Sequence, residues 1–565
     1  MQPADSSATL SNAEIADRLL SLAQLLSSQK ENPFKIKAYQ RAARKIKELS
    51  ESVAELVHDD ADLTQYSGIG KAIASAIREI VGSGTIRQLE SLRSQVTPEL
   101  AALTEYPRLD PKRVMRIYKK LRISSIAELK ERLESGAIAE TLGARMDQHV
   151  RQALEDTHEL LLYEADFVAQ AAENFLMEKC RVSRAQVAGD YRRRTETVRE
   201  ISFLIETRNF ESVVGKMERY GGKAELLRSS ANSSVFRLSS GILLKIETAE
   251  AEKWGVALMA ATGSARHLQK LRSAGADFDE LGGGDVPYRT EEAAYEALGL
   301  SFIEPELREG GDEVERAARG PMPKLVTVDD IRGELHAHST SSDGSNTIEE
   351  MAAAARKKGY EYVGITDHSQ SLKIAGGLSP DDLWKQIRFI DKVNGTLAGI
   401  RVLKSAEVDI LADGSLDYAD ELLKELDYTV CSIHSKFGLG KAAQTDRILR
   451  AMDNRYFTIL GHATGRLLLK RPGYEIDMGR VVEQARANGC FFEINSSPDR
   501  LDLSAENARL AREARVKIAI DTDAHAIREF NYVRGGVDQA RRAGLEKQSI
   551  LNCHAWPELQ RLFRR

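Results

Sequence analysis

The chain of 565 residues is too long for one hydrophobic core and is expected to divide into several domains. Its 42% hydrophobic and 29% charged content is ordinary for a globular protein, and a net charge of −5 does not mark a nucleic-acid binder, although a basic face can hide within it. Cys180, Cys431, Cys490 and Cys553 form no C-x-x-C pair, the polar N-terminus is unlike a signal peptide, and no apolar run suits a membrane span; this argues against a disulfide framework, a thiolate zinc site or a membrane partner, and fits a reducing cytoplasm.

Residues 10 to 92 read as short amphipathic helices, with Ser11 and Asn12 as caps before EIADRLLSLAQLL. The next helix, FKIKAYQRAARKIKEL, interleaves Lys35, Lys37, Arg41, Arg44, Lys45 and Lys47 with Phe34 and Tyr39. Gly68-Ile69-Gly70 then separates two helices. Such a hairpin lets backbone N–H groups approach a DNA phosphate, so Lys35, Lys37, Arg41, Gly68, Gly70 and Lys71 are the candidate DNA contacts. Residues 93 to 170 are again helical. From about 180 the runs AQVAGDYR, REISFLIE, SSVFRLSS and GILLKIE read as strands. A stretch rich in Gly and charge, 308 to 324, reads as a linker, and beyond it β-branched runs alternate with amphipathic helices, as in βα units.

Six of the eleven histidines lie between 330 and 550, each at or just past the end of a predicted strand: GELHAH, YVGITDH, YTVCSIH, FTILGH and KIAIDTDAH. In a parallel βα barrel the C-terminal strand ends meet at one mouth, so these side chains would converge. Imidazole and carboxylate without thiolate suit Zn²⁺, Mn²⁺ or Fe²⁺, and Glu407, in VLKSAEVDI, is placed to bridge two ions. Clustered divalent ions acidify a bound water and neutralise charge on the attacked and leaving oxygens of a phosphate ester.

GELHAHSTSSDG, GITDHS, AEVDILADGSLDY, SIHSKF, GHATGRLL, EINSSPDRLDL and DTDAH together resemble a PHP (polymerase and histidinol phosphatase) domain, a distorted seven-stranded βα barrel with three metal ions. The resemblance implies His336, His338, Asp343, His368, Glu407, His434, His462, Asp523 and His525 as ligands, with Glu407, His434 and Asp523 at the reacting phosphate. Lys436, Arg466 and Asn495 stand beside ligands as phosphate candidates. YSGIGKAIASAI, GDYRRRTETV, WGVALMAATGSARH and YEALGLSFIEPELRE resemble a family X DNA polymerase, fused to the PHP domain as in bacterial PolX proteins. The fold so implied is multidomain. A helix-hairpin-helix domain (1–92) and a helical fingers-like domain (93–170) precede an α+β nucleotidyltransferase-like palm (171–265) and a thumb-like region (266–315). A linker (316–329) leads to the distorted (β/α)7 barrel (330–565).

The departures from that family are concentrated in the palm. Its strand T-V-G-D-I-D reads Thr197-Val198-Arg199-Glu200-Ile201-Ser202 here, so one aspartate is Glu200 and another Ser202. The third, ten residues before the glycine of the W-G pair, aligns with Lys245, and the family's Gly-Ser is Gly189-Asp190. A lysine and a serine cannot hold the two cations of nucleotidyl transfer, so polymerisation is expected to be lost. The Schiff-base lysine of lyase-active members aligns with Ala76, and the second and third hairpins, Pro107-Arg108-Leu109-Asp110 and Leu142-Gly143-Ala144-Arg145, lack the expected glycine pairs. The expected activity is metal-dependent phosphoester hydrolysis at DNA 3′ ends, against the alternatives of an active repair polymerase, a small-molecule phosphatase and a non-catalytic repair scaffold.

Overall fold

A computed structural model describes residues 10–28, 31–95, 111–123, 126–143, 146–147, 150–151, 159–238 and 241–563. The chain forms two compact units, one of Met1–Arg192, Thr197–Thr262 and Ala276–Ala294, the other of Arg193–Glu196, Gly263–Gly275 and Tyr295–Arg565.

The first unit begins with helices Asn12–Ser28, Pro33–Glu48, Val53–His58, Lys71–Ser83 and Arg87–Gln95 around a core that includes Ile15, Leu19, Ala43, Ile46, Ile77 and Leu89. Of the two expected caps, Ser11 serves, its hydroxyl accepting from the Glu14 amide while the Glu14 carboxylate accepts from the Ser11 amide. Asn12 lies inside the helix, and its buried amide instead ties Leu49, Glu51 and Val53 to it. Asn32 caps the second helix, with Pro33 at its first turn. Helices Pro111–Leu121, Ile126–Glu134 and Ala137–Leu142 gather a small core of Ile117, Leu129, Leu133 and Ile138. The second hairpin, 107–110, and residues 144–145 of the third lie outside the described residues.

A mixed sheet follows, of β1 (Arg184–Ala188), β2 (Glu200–Glu206), β3 (Glu225–Ser229), β4 (Ser233–Arg237) and β5 (Leu243–Thr248), in the order β1-β2-β5-β4-β3. Only β2 and β5 run parallel. The run AQVAGDYR ends in a short helix, Gly189–Arg192, and β3 was not anticipated because ELLRS does not alternate. The glycine of the W-G pair has a packing cause: a Cβ on Gly255 would lie 2.0 Å from the Thr290 carbonyl oxygen, where the helix Trp254–Thr262 meets the chain at Tyr288.

The second unit is built on seven parallel strands in sequential order: β6 (Gly333–Ala337), β7 (Tyr362–Ile365), β8 (Arg401–Asp409), β9 (Tyr428–Ser432), β10 (Ile459–Leu460), β11 (Phe491–Asn495) and β12 (Ile518–Asp521). The seam between β6 and β12 is joined by the bridge Ala337–Ala524, by the His338 amide to the Ala524 carbonyl at 2.8 Å, and by the Leu335 amide to the Asp521 carboxylate at 3.0 Å. The barrel is therefore nearly closed, its (β/α)7 form distorted by a register shift in β6 and a two-residue β10. Leu335, Leu403, Tyr428, Val430 and Ile459 fill its interior below the site. The stretch 308–324, expected as a linker, is structured instead. It holds the helix Glu313–Arg319, and fully buried Arg308 donates to the Ile303 carbonyl and stacks near Tyr295 and Phe302. Residues 266–315, expected as a thumb, divide between the two units.

Candidate metal centre

Each strand of the barrel has a His, Asp, Glu or Asn at or within three residues of its C-terminal end, the end at which side chains of a βα barrel converge. At the centre stands Glu407, buried near the end of β8. Its carboxylate lies 2.8 Å from His368, 2.9 Å from His462, 3.3 Å from His434, 3.5 Å from His336 and 3.7 Å from His338. Asp523 lies 3.1 Å from His338 and 3.6 Å from His336. Asp343 lies 3.5 Å from His368 and 3.3 Å from His525. The structure thus brings all nine residues singled out in the sequence into one connected cluster.

Three sets of donor atoms lie within 4.8 Å of one another: His338, Asp343, His368 and His525; His336, His338 and Glu407; His368, Glu407 and His434. Buried His336 Nε2, His338 Nδ1, His462 Nδ1 and Glu407 Oε2 have no hydrogen-bond partner in the protein. Buried polar atoms are ordinarily paired, so these oriented, unsatisfied donors fit divalent cations. His462 and Asp523 also hold left-handed backbone conformations, φ 25° and 53°, which cost energy outside glycine and mark a constrained site.

The site sets imidazoles against carboxylates. Burial opposes charge on His336, but Glu493, Asp523 and Glu407 outweigh it and hold the imidazolium well above the usual value. The same contest raises His368 to about 10, where Glu407 and Asp343 win, and His434 to about 9, where Glu407 and Asp409 win. Burial, reinforced by His368 and His525, lowers His338 to about 4. Glu407 and Asp523 resist their own burial and lie well below the carboxylate range because of the surrounding histidines.

A surrounding shell orients these groups, and sequence reading missed most of it. Glu493 takes His336 Nδ1 at 2.5 Å and the His462 amide at 2.6 Å, and Asp409 meets His434 Nδ1 at 3.1 Å. Both acids sit in strand runs already quoted; each differs from a packed carboxylate only through a partner far away in sequence. Arg500 was also missed: it lies 3.5 Å from Asp523, in the loop after β11.

Two of the three phosphate candidates have other duties. Asn495 is buried and donates to Asp523 at 3.1 Å and Glu493 at 3.3 Å, so it orients acids. Arg466 forms a bidentate pair with Glu196 at 2.8 and 2.9 Å and donates to the Arg500 and Leu501 carbonyls. Lys436 is exposed. Replacing Arg466 with Ala should therefore destabilise the fold by about 2–4 kcal/mol, since it leaves Glu196 without its cation and removes a donor from the Arg500 and Leu501 carbonyls. Denaturant titration checks this, and unchanged stability with a raised KM would return Arg466 to the phosphate.

In the mixed sheet, Ser202 on β2 pairs in register with Lys245 on β5. The Ser202 hydroxyl donates to Glu200 at 2.9 Å, and Lys245 is paired with Glu247 at 2.9 Å. Gly189, at φ 61°, abuts Ser202, and Asp190 follows it in the short helix. An open groove of about 610 Å³ beside Lys245 is lined by Arg228, Ser229, Ser230, Ser233 and Ser234, with Glu247 as its acid. Among the described residues the candidate metal groups all lie in the barrel.

Near the N-terminus, Gly68 has φ 88°, a conformation that favours glycine, and a Cβ there would stand 3.9 Å from Arg41 Cβ. Gly70 precedes the helix Lys71–Ser83 without a capping side chain, and Lys37, Arg41 and Lys71 are exposed, with Lys35 half-buried. Arg44, Lys45 and Lys47 are instead engaged by Glu164, Glu48 and Asp17. Ala76 packs in the helical core, which leaves no amine there. All four cysteines are buried and none forms a disulfide, and no helix among the described residues is long and apolar enough to cross a membrane.

Known proteins match this division. Residues 10–86 match the helix-hairpin-helix domain model, and residues 334–497 match the PHP domain model. The DNA polymerase/3′-5′ exonuclease PolX of Bacillus subtilis is 33% identical, over 98% of this chain and 99% of that protein. Probable phosphatases of Syntrophotalea carbinolica and a Thermoanaerobacter species are 29% and 30% identical, each over 39% of this chain and 90% and 89% of their own length. A relative of that identity along nearly the whole of both chains, with the two domain matches in the same places, shows that the chain belongs to the bacterial PolX family.

Proposed function

We propose that the chain is a DNA-binding PolX-type repair protein whose PHP domain hydrolyses phosphodiester or phosphomonoester bonds at DNA 3′ ends, as a 3′–5′ exonuclease or end-processing enzyme without polymerase activity. The observation that carries this is the single cluster of nine donors around Glu407. Three divalent ions, Mn²⁺, Zn²⁺ or Fe²⁺, are the cofactors that the three overlapping donor sets would hold. When bound, such ions supply an activated water and neutralise charge on the phosphate.

The chain's own residues do the rest. Glu407 is shared between donor sets and fixes their separation, while His434, oriented by Asp409, and Asp523, oriented by Asn495, face the reacting phosphate. Arg500 sets a cation beside Asp523. The helix-hairpin-helix domain holds the duplex through Gly68, Gly70, Lys71, Lys35, Lys37 and Arg41. The test is release of labelled mononucleotide or free phosphate from a 3′-labelled strand with Mn²⁺. Hydrolysis of small monoesters alone would make the chain a phosphatase like its shorter relatives.

DNA affinity is expected to reside in the N-terminal domain. Deleting residues 1 to 92 should weaken binding by at least about tenfold, and for the full chain log K should fall linearly with log salt. Fluorescence anisotropy with a labelled gapped duplex measures both. Equal binding by the truncated protein would reduce the hairpin to a turn.

A further inference from the structure

We infer that the loop of residues 370–377 is an apolar wedge on the barrel mouth that seats the terminal nucleotide of a DNA strand; this rests on the proposed hydrolysis of DNA ends. The loop follows β7 and the ligand His368, so it stands on the side of the barrel where the metal donors converge. Its base is rigid. The Ser369 amide donates to the Glu407 carbonyl at 3.0 Å, the Leu378 amide to the His368 carbonyl at 2.8 Å, and the Ser371 amide and hydroxyl to Asp417 at 2.7 and 2.6 Å. From this base a single turn, Lys373–Ala375, projects.

Ile374, at its tip, is 96% exposed. No other large hydrophobic side chain described in this unit exceeds 40% exposure. Two of the next, Leu469 and Ile527, lie on further loops of the same mouth, after β10 and β12. Cations accompany them: Lys373 beside Ile374, exposed Lys436 after β9, and Arg500 at Asp523. The mouth acids Asp343 and Asp417 are already engaged by His368, His525 and Ser371.

Apolar tips among cations match a ligand that alternates flat bases with phosphates. Isoleucine is one of the side chains that wedge between bases, and phosphates would follow the cations. A small phosphate ester carries no nucleobase for Ile374 to wedge against. The wedge therefore separates DNA from small esters.

The full-length protein with Mn²⁺ tests this. Ile374→Ala should lower kcat/KM for a single-stranded oligonucleotide about tenfold, mainly through KM, and leave bis-p-nitrophenyl phosphate hydrolysis unchanged. Ile374→Phe should retain DNA activity. An oligonucleotide with a photoreactive 3′-terminal base and a hydrolysis-resistant terminal phosphorothioate should crosslink to residues 370–377, as mapped by mass spectrometry. DNA hydrolysis without that crosslink, or equal Ile374→Ala effects on both substrates, overturns the wedge and leaves the proposed function standing. The crosslink without any DNA hydrolysis supports the wedge and overturns the proposed function.

Discussion

Glu407→Gln is expected to lower phosphoester hydrolysis by more than about 100-fold, beyond the 10–100-fold typical for residues that only support metal ligands. The side chain lies within 3.7 Å of five imidazoles, and one carboxylate oxygen or the other enters two of the three donor sets. An amide of nearly the same shape carries no charge, and its nitrogen cannot accept a cation, so the shared position is lost without disturbing packing. DNA affinity should stay within about twofold, because the helix-hairpin-helix domain is untouched. Release of a 3′ label under Mn²⁺ and anisotropy of a labelled duplex measure the two effects. Near wild-type hydrolysis would show that the cluster tolerates a neutral centre and that Glu407 does not bridge.

No templated nucleotide incorporation is expected. Polymerisation requires two cations about 3.5–4 Å apart on clustered carboxylates. Here Ser202 and Lys245 are register partners on adjacent strands, so a hydroxyl and an ammonium occupy the place where acids must converge. Glu200 bonds Ser202, and Glu247 is paired with Lys245. Mispositioning alone costs on the order of 100-fold in rate, and a fixed ammonium repels the ions as well. The test is primer extension on a gapped duplex with Mg²⁺ or Mn²⁺, in a Glu407→Gln background that prevents degradation from masking synthesis. Clear extension would mean that Glu200 and Glu247 rebuild a metal site.

The barrel and its cluster of candidate donors were legible because strand periodicity and donor position coincide: His368, His434 and His462 each follow an apolar β run. What escaped was long-range pairing. Arg466 looked free beside His462 because its partner, Glu196, is 270 residues away. Asn495 looked like a phosphate contact because nothing local shows that Asp523 and Glu493 claim its amide. Residues 308–324 looked like a linker because glycine and charge dominate, yet Arg308 is buried against aromatic rings. Strand β3 escaped because its exposed edge residues do not alternate.

The interleaving of the two units bears on how the chain can be dissected. Residues Arg193–Glu196 and Gly263–Gly275 lie well before the barrel in sequence, yet they belong to its unit. Glu196 holds Arg466 and Gln539, Arg194 holds Asp538 at 2.7 Å, and His267 is bonded to Glu313 and Tyr295. A fragment begun at residue 330 would carry every candidate metal donor but leave Arg466, Gln539 and Asp538 without Glu196 and Arg194, and should be less stable than the same barrel in the intact chain. Residues 193–196 and 263–275 therefore travel with the barrel, and a cut that keeps its unit whole must retain them.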